Sequence, residues 1–206
     1  MAQHDPYDAE MHLNTLMHRG QWAQALTLVD EWLGREPQRT ELLLRKAQIL
    51  RALQRYEQGL AALREYRTHR AAIDLAFQEV EFLLGLGRTT EALDTLEALP
   101  PEQKHSAHGQ YCRGRVLLAR KNIRAGLQAL WNAYSQQPGY NRALVDWAAS
   151  AQHYYGKRHV RRQLQALLAK HGGDPSIAIS VGLALNLVDS RYGGNILRYA
   201  VDRYPE

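Results

Sequence analysis

Apolar residues recur along this chain every three or four positions, which is the spacing of one face of an α-helix. Near the N-terminus, Leu13, Leu16 and Met17 share such a face. Further along, Ala25 and Val29 continue the same period in a second segment. No stretch shows the convincing alternation of apolar and polar residues that would mark a strand. The pattern therefore predicts an all-α chain.

Glycine- and proline-containing turns divide the periodic segments into six predicted helix pairs. The pairs are 9–17 with 22–33, 40–52 with 56–69, 72–86 with 89–99, 106–120 with 123–135, 141–155 with 158–171, and 176–188 with 192–203. Two connections look irregular. Residues 100–108 form a polar connection that opens with two prolines, and Gly193-Gly194 falls inside the last helix. Each glycine in a helix interior costs ~1 kcal/mol relative to alanine.

The helix pairs follow a repeat of about 34 residues. A turn signal is followed by an anchor residue that opens the second helix of each pair, and a small residue often stands three positions later. The anchors are Trp22, Tyr56, Thr89, Ile123, Arg158 and Tyr192. Their intervals are 34, 33, 34, 35 and 34 residues. So constant a period indicates stacked helix pairs, each burying its apolar face against its neighbours.

This pattern resembles the tetratricopeptide repeat (TPR) family, whose unit is a helix-turn-helix of about 34 residues. The family favours small residues where two helices meet, because helices packed ~8–10 Å apart leave no room for a large side chain at the crossing. The matching small residues here are Ala25, Ala47, Gly59, Ala92, Gly114, Gly126 and Gly182. The family's aromatic residue and its proline near the unit's end are matched by Trp22, Tyr56, Tyr192, Pro37 and Pro138.

The resemblance implies an all-α, right-handed α-solenoid of about six antiparallel helix pairs. It implies a single domain over 1–206, with repeat units near 6–38, 39–71, 72–105, 106–139, 140–174 and 175–206. The last two units depart from the pattern, since Arg158 and Arg161 replace the aromatic and the small residue, and Asn195 replaces the small residue of the sixth. No polar capping helix follows. We therefore expect either that the chain continues in a longer protein or that it self-associates through its C-terminal repeat.

The amino-acid composition indicates the class of protein and the compartment in which we expect it. Hydrophobic residues make up 45% of the 206 residues and charged residues 23%, which is the balance of a globular chain. No stretch reaches the ~20 apolar residues of a membrane-spanning helix, so we expect no membrane insertion. The N-terminus lacks a secretory signal, which indicates a cytoplasmic protein; a signal already removed would be consistent with a periplasmic one. The 21 arginines against 5 lysines hint at a bacterial origin.

Charge is unevenly distributed along the chain. Residues 1–101 carry a net charge of −4, and residues 102–206 carry +9. The strongest basic patch comprises Arg142, Lys157, Arg158, Arg161 and Arg162. A solvated surface, an acidic protein segment and a phosphate backbone would each explain it. Nucleic acid would need basic residues interleaved with stacking aromatics over a wide face, so the sequence favours a protein partner.

In the TPR family the concave groove is lined mainly by the first helix of each pair. Matching by repeat position assigns the groove to Asn14, Arg45, Gln48, Gln78, Glu81, Tyr111, Arg115, Trp147 and Ser150. Arginine and large aromatic residues often carry binding energy at interfaces, which favours Tyr111, Arg115 and Trp147 as anchors. The alternative is that Tyr111 and Trp147 fill the space between neighbouring helices.

The sequence offers no constellation for catalysis. Cys112 is the only cysteine, and nothing in its neighbourhood of the sequence supplies an activating base. The nine histidines do not combine with carboxylates or thiols at metal-ligand spacing. We therefore expect a non-enzymatic scaffold without cofactor or metal that binds another protein in its groove. Three alternatives stay open: an assembly or regulatory module of a bacterial secretion or exopolysaccharide machine, the adaptor region of a larger enzyme, and a nucleic-acid-binding repeat protein.

Overall fold

The computed structural model of the chain describes residues 6–37, 39–67, 73–171 and 173–203. Every regular element within these ranges is an α-helix. The chain divides into two compact units, Met1–Thr95 and Leu96–Glu206, which we call unit 1 and unit 2. The all-α fold predicted from the apolar periodicity is confirmed.

Unit 1 is built from three helix pairs. Its helices are α1 (Pro6–His18), α2 (Trp22–Arg35), α3 (Thr40–Ala52), α4 (Tyr56–Arg67), α5 (Ile73–Gly85) and α6 (Thr89–Glu97), the last of which ends just beyond the unit. The apolar positions of the first three helices meet in one core cluster of Leu13, Leu16, Ala25, Val29, Leu42 and Ile49. Burial of these faces, more than local propensity, stabilises helices of only three turns.

Unit 2 adds three further pairs after a short helix. Its helices are α7 (Pro101–His105), α8 (Ala107–Ala119), α9 (Ile123–Gln136), α10 (Asn141–Tyr155), α11 (Lys157–His171), α12 (Pro175–Val188) and α13 (Ser190–Arg203). The side chains of Leu130, Leu144, Leu164 and Leu185 are fully buried between these helices. The predicted helices 40–52 and 141–155 are reproduced residue for residue by α3 and α10.

The polar connection predicted over residues 100–108 contains a helix. Pro101 occupies the first position of α7, where the missing amide hydrogen costs nothing and the fixed backbone angle favours helix. Ser106 then caps α8 by accepting a hydrogen bond from the amide of Gly109 at 3.1 Å. Of the two prolines that open this connection, the second therefore begins a helix.

The register predicted for the last two units was wrong. The anchors were assigned to Arg158 and Tyr192, whereas α11 begins at Lys157 and α13 at Ser190. With these starts, the fourth residue of the second helix is buried in every pair: Ala25, Gly59, Ala92, Gly126, Val160 and Gly193. Arg161 and Asn195, which had been assigned to that position, are exposed.

Candidate binding surfaces

Side-chain hydrogen bonds join the first helices of the three pairs in unit 2. The Tyr111 hydroxyl on α8 donates to Oδ2 of Asp146 on α10 at 2.9 Å. The buried Ser180 hydroxyl on α12 donates to the side-chain oxygen of Asn141 on α10. Helices α8, α10 and α12 therefore lie side by side, and we call their shared solvent-exposed side the first-helix face.

The predicted anchors Tyr111 and Arg115 meet on this face. Tyr111 is nearly buried, and its ring lies 5.2 Å from that of Tyr140. The Arg115 guanidinium lies over the Tyr111 ring at 5.7 Å, and its Nε is 4.0 Å from Oδ2 of Asp146. Since both Arg115 and Asp146 stay about one-third exposed, they present a polar pair at the surface that Tyr111 orients from below.

Trp147 lies in the interior of unit 2. Its side chain is only 6% exposed, and its ring centroid is 4.9 Å from that of Trp131 on α9. Ser150, one turn beyond Asp146 on α10, is partly exposed. Of the four groove residues assigned to unit 2, Arg115 and Ser150 thus reach solvent, while Tyr111 and Trp147 support the face from within.

The groove residues assigned to unit 1 lie on three helices. Asn14 is exposed on α1, Arg45 and Gln48 are partly exposed on α3, and Gln78 and Glu81 are partly exposed on α5. Arg45 and Gln48 are three positions apart, as are Gln78 and Glu81, so the two residues of each pair share a helix face. Helix α3 packs against α5, which places these two pairs on neighbouring helices.

Many of the charges of unit 1 are paired with one another. Arg88 donates two hydrogen bonds of 2.6 Å to the carboxylate of Glu91. These bonds are the main cause that lowers the pKa of Glu91. Arg64 bridges Glu79 and Glu91 at 3.4 and 3.5 Å. Two carboxylates of α5 and α6, those of Glu79 and Glu91, are therefore compensated by arginines within unit 1.

The predicted basic patch separates into two places. Arg142 stands near the start of α10, and Lys157 opens α11 after the single residue Gly156. At 1.5 Å per residue, Arg142 lies ~20 Å from the turn between these helices. Arg161 contacts Oδ2 of Asp189 at 2.9 Å and stacks over Tyr192 at 5.1 Å. Lys157, Arg158 and Arg162 are exposed, and within the described residues they form no ion pair.

Exposed aromatic rings border the basic residues of α11. Tyr154 and Tyr155 are 44% and 46% exposed, and their ring centroids are 4.7 Å apart in an edge-to-face arrangement. Arg124 at the start of α9 donates from Nε to the Tyr154 hydroxyl at 3.1 Å. This bond is the main cause that raises the pKa of Arg124. Tyr155 in turn lies 5.0 Å from the ring of His159 on α11.

The described residues hold neither a metal centre nor a membrane-spanning helix. The described side chains form no group of three or more His, Cys, Asp or Glu residues able to hold a metal ion. None of the helices that the structure describes is long and apolar enough to cross a membrane.

This chain is similar to known proteins in its fold. No protein-family model matches the chain, and no curated protein matches it in sequence. Among solved structures, MamA (41-end) from Desulfovibrio magneticus RS-1 superposes with a TM-score of 0.58 at 18% identity, over 79% of this chain and 98% of that one. A tetratricopeptide repeat protein from Parabacteroides merdae ATCC 43184 gives a TM-score of 0.54 at 15% identity, over 96% of this chain and 77% of that one. The chain has a TPR-like fold.

Within the TPR-like fold, the sequence interpretation missed an apolar row on α12. Ile179, Leu183 and Leu187 follow one another at four-residue steps and are 38%, 37% and 46% exposed. Leu183 and Leu187 share a helix side with Ser180, which bonds α10, so the row borders the first-helix face. The signal was available, because α12 has no charged residue and a helix that is apolar all round is expected to be covered.

Proposed function

We propose that this chain is a non-enzymatic protein-interaction scaffold whose first-helix face in unit 2 binds a segment of a partner protein. The apolar row of Ile179, Leu183 and Leu187 carries this proposal. An exposed apolar row beside polar groups is typical of interaction sites. The TPR-like fold supports the proposal, since stacked helix pairs offer extended binding surfaces.

The partner segment that fits this face combines apolar and acidic side chains. The apolar row would receive its hydrophobic residues, and Arg115 beside Asp146 would fix its polar register. Residues 102–206 carry a net charge of +9, which attracts an acidic segment and speeds its association. The groove residues assigned to α3 and α5 would form a separate first-helix surface within unit 1.

Affinity capture with matched variants tests this function. We expect Leu183→Glu to lose a protein that the unaltered chain captures from cells, because a carboxylate replaces apolar contact and repels an acidic segment. Val201→Glu is the control, since Val201 is 67% exposed on α13 and the charge change is identical. Identification of the captured protein by mass spectrometry must then show a segment of the stated chemistry.

Two outcomes would contradict the proposal. A partner lost equally from both variants would locate binding elsewhere. The second outcome is dimerisation of the purified chain, which light scattering detects. A dimer that Leu183→Glu dissociates would assign the row to a second copy of this chain. A monomer of about 23.5 kDa for both proteins agrees with the proposal.

A further inference from the structure

A continuous line of contacts crosses one edge of unit 2, where the turns between first and second helices lie. It runs from Arg124 through Tyr154 and Tyr155 to His159, joining the start of α9, the end of α10 and the start of α11. Lys157 and Arg158 stand exposed within this line. We call these six residues the turn edge.

The turn edge is basic with almost no compensating acid. The chain contains no Asp or Glu between Asp146 and Asp174, a stretch that includes all of the turn edge except Arg124. Arg120 and Lys121 in the neighbouring turn before α9 are also exposed. On the far side, Arg161 is held by Asp189, so that carboxylate is already engaged. The surface therefore offers several cations to a polyanion.

The tyrosines distinguish this surface from an ordinary solvated basic patch. Tyr154 and Tyr155 expose almost half of their side chains, so both rings are accessible to a ligand. Because the two rings meet edge to face, they present differently oriented π faces. Exposed rings among cations are what a single nucleic acid strand requires, since its bases stack on aromatics while its phosphates meet Lys and Arg.

We propose that the turn edge binds single-stranded nucleic acid, through base stacking on Tyr154 and Tyr155 and phosphate contacts to Arg124, Lys157 and Arg158. The sequence alone favoured a protein partner because a wide face of interleaved cations and aromatics was not evident. Arg124 is 30 positions from Tyr154 in the sequence, and folding brings the two side chains into contact. This contact adds a cation to the exposed tyrosines. Recognition of this kind tolerates most base sequences, because every base has a π face.

Fluorescence polarisation with a labelled single strand tests the proposal. The probes are DNA and RNA strands of about 20 mixed-sequence nucleotides, long enough for one such site. We expect the full chain to bind both. For three or four phosphate contacts, the affinity should fall by about 20–50-fold between about 50 and 200 mM salt. The corresponding duplex should bind more weakly, since its bases are not free to stack on the rings.

Matched variants locate the site. Tyr154→Ala with Tyr155→Ala should weaken binding by about tenfold or more, whereas Tyr199→Ala, an exposed aromatic on α13, should not. Lys157→Glu with Arg158→Glu should abolish it. Arg142→Glu with Lys170→Glu, the same change of charge at the opposite ends of α10 and α11, should leave most of it. Circular dichroism and thermal melts confirm that each variant is folded.

Three results would overturn the proposal: no binding at low salt, equal losses from the test and control variants, or binding that the tyrosine substitutions leave unchanged. In the last case, displacement of the strand by poly-glutamate at equal charge concentration would assign the edge to acidic protein segments instead. If binding of the strand depends on the two tyrosines and poly-glutamate competes poorly with it, the result supports nucleic acid as the ligand of the turn edge.

Discussion

Two adjacent glycines on α13 have opposite structural roles. A Cβ added to Gly193 would lie 2.3 Å from the backbone nitrogen of Asn186, so α12 and α13 approach each other through this residue. A Cβ added to Gly194 would meet nothing within 4 Å. Both glycines looked like defects in a helix, but one of them permits the helix contact that completes the last pair.

Substitution by alanine should therefore change stability in opposite directions. Gly193→Ala should lower the free energy of unfolding by about 1–3 kcal/mol, because the obstacle is backbone and the helices must separate. Gly194→Ala should raise it by about 0.5–1 kcal/mol, since alanine is the better helix former. Urea denaturation of the two variants measures both; a Gly193→Ala variant as stable as Gly194→Ala would refute the close approach of α12 and α13.

At the scale of the element, α12 has two faces that a sequence pattern does not separate. Leu185 is fully buried and Leu183 is 37% exposed, although both are leucines within the same uncharged helix. The helix packs against α10, α11 and α13, and its exposed side holds the polar Ser176 and Asn186 besides the apolar row of Ile179, Leu183 and Leu187.

Charge substitution should distinguish the two faces. Leu185→Glu should destabilise unit 2 by more than the ~2–5 kcal/mol of a buried leucine-to-alanine change, because it buries an unpaired carboxylate. Leu183→Glu should cost at most about 2 kcal/mol, because the side chain is already 37% exposed and the carboxylate can reach solvent. Thermal melts followed by circular dichroism compare them. A large loss for Leu183→Glu would mean that the row is core, and would remove the basis of the proposed docking site.

The sequence predicted helices and their pairing well, because apolar period and turn residues are local signals. Neither signal fixes which large side chain points inward. Trp147 fits the repeat position of a groove anchor, yet it packs on Trp131 because α9 crosses α10 at that point. The sequence could not predict the turn edge either, since this surface depends on a contact between Arg124 and Tyr154, which belong to different helix pairs.

At the scale of the whole molecule, the two units differ in the charge that they present. Arginines in unit 1 engage Glu79 and Glu91, whereas residues 102–206, which make up most of unit 2, carry a net charge of +9 and include exposed apolar and aromatic side chains. We propose two separate binding surfaces in unit 2, the first-helix face for a protein segment and the turn edge for a nucleic acid strand.

Site-specific photocrosslinking tests whether a partner segment lies on the first-helix face of unit 2. A benzophenone amino acid would replace Leu183 in one full-length chain and Val201 on α13 in another, and each would be irradiated with the captured partner. Our account predicts a covalent product from position 183, mapped by mass spectrometry to an apolar and acidic segment of the partner, and none from position 201. Crosslinking from position 201 alone, or from neither position while the partner stays bound, would contradict it.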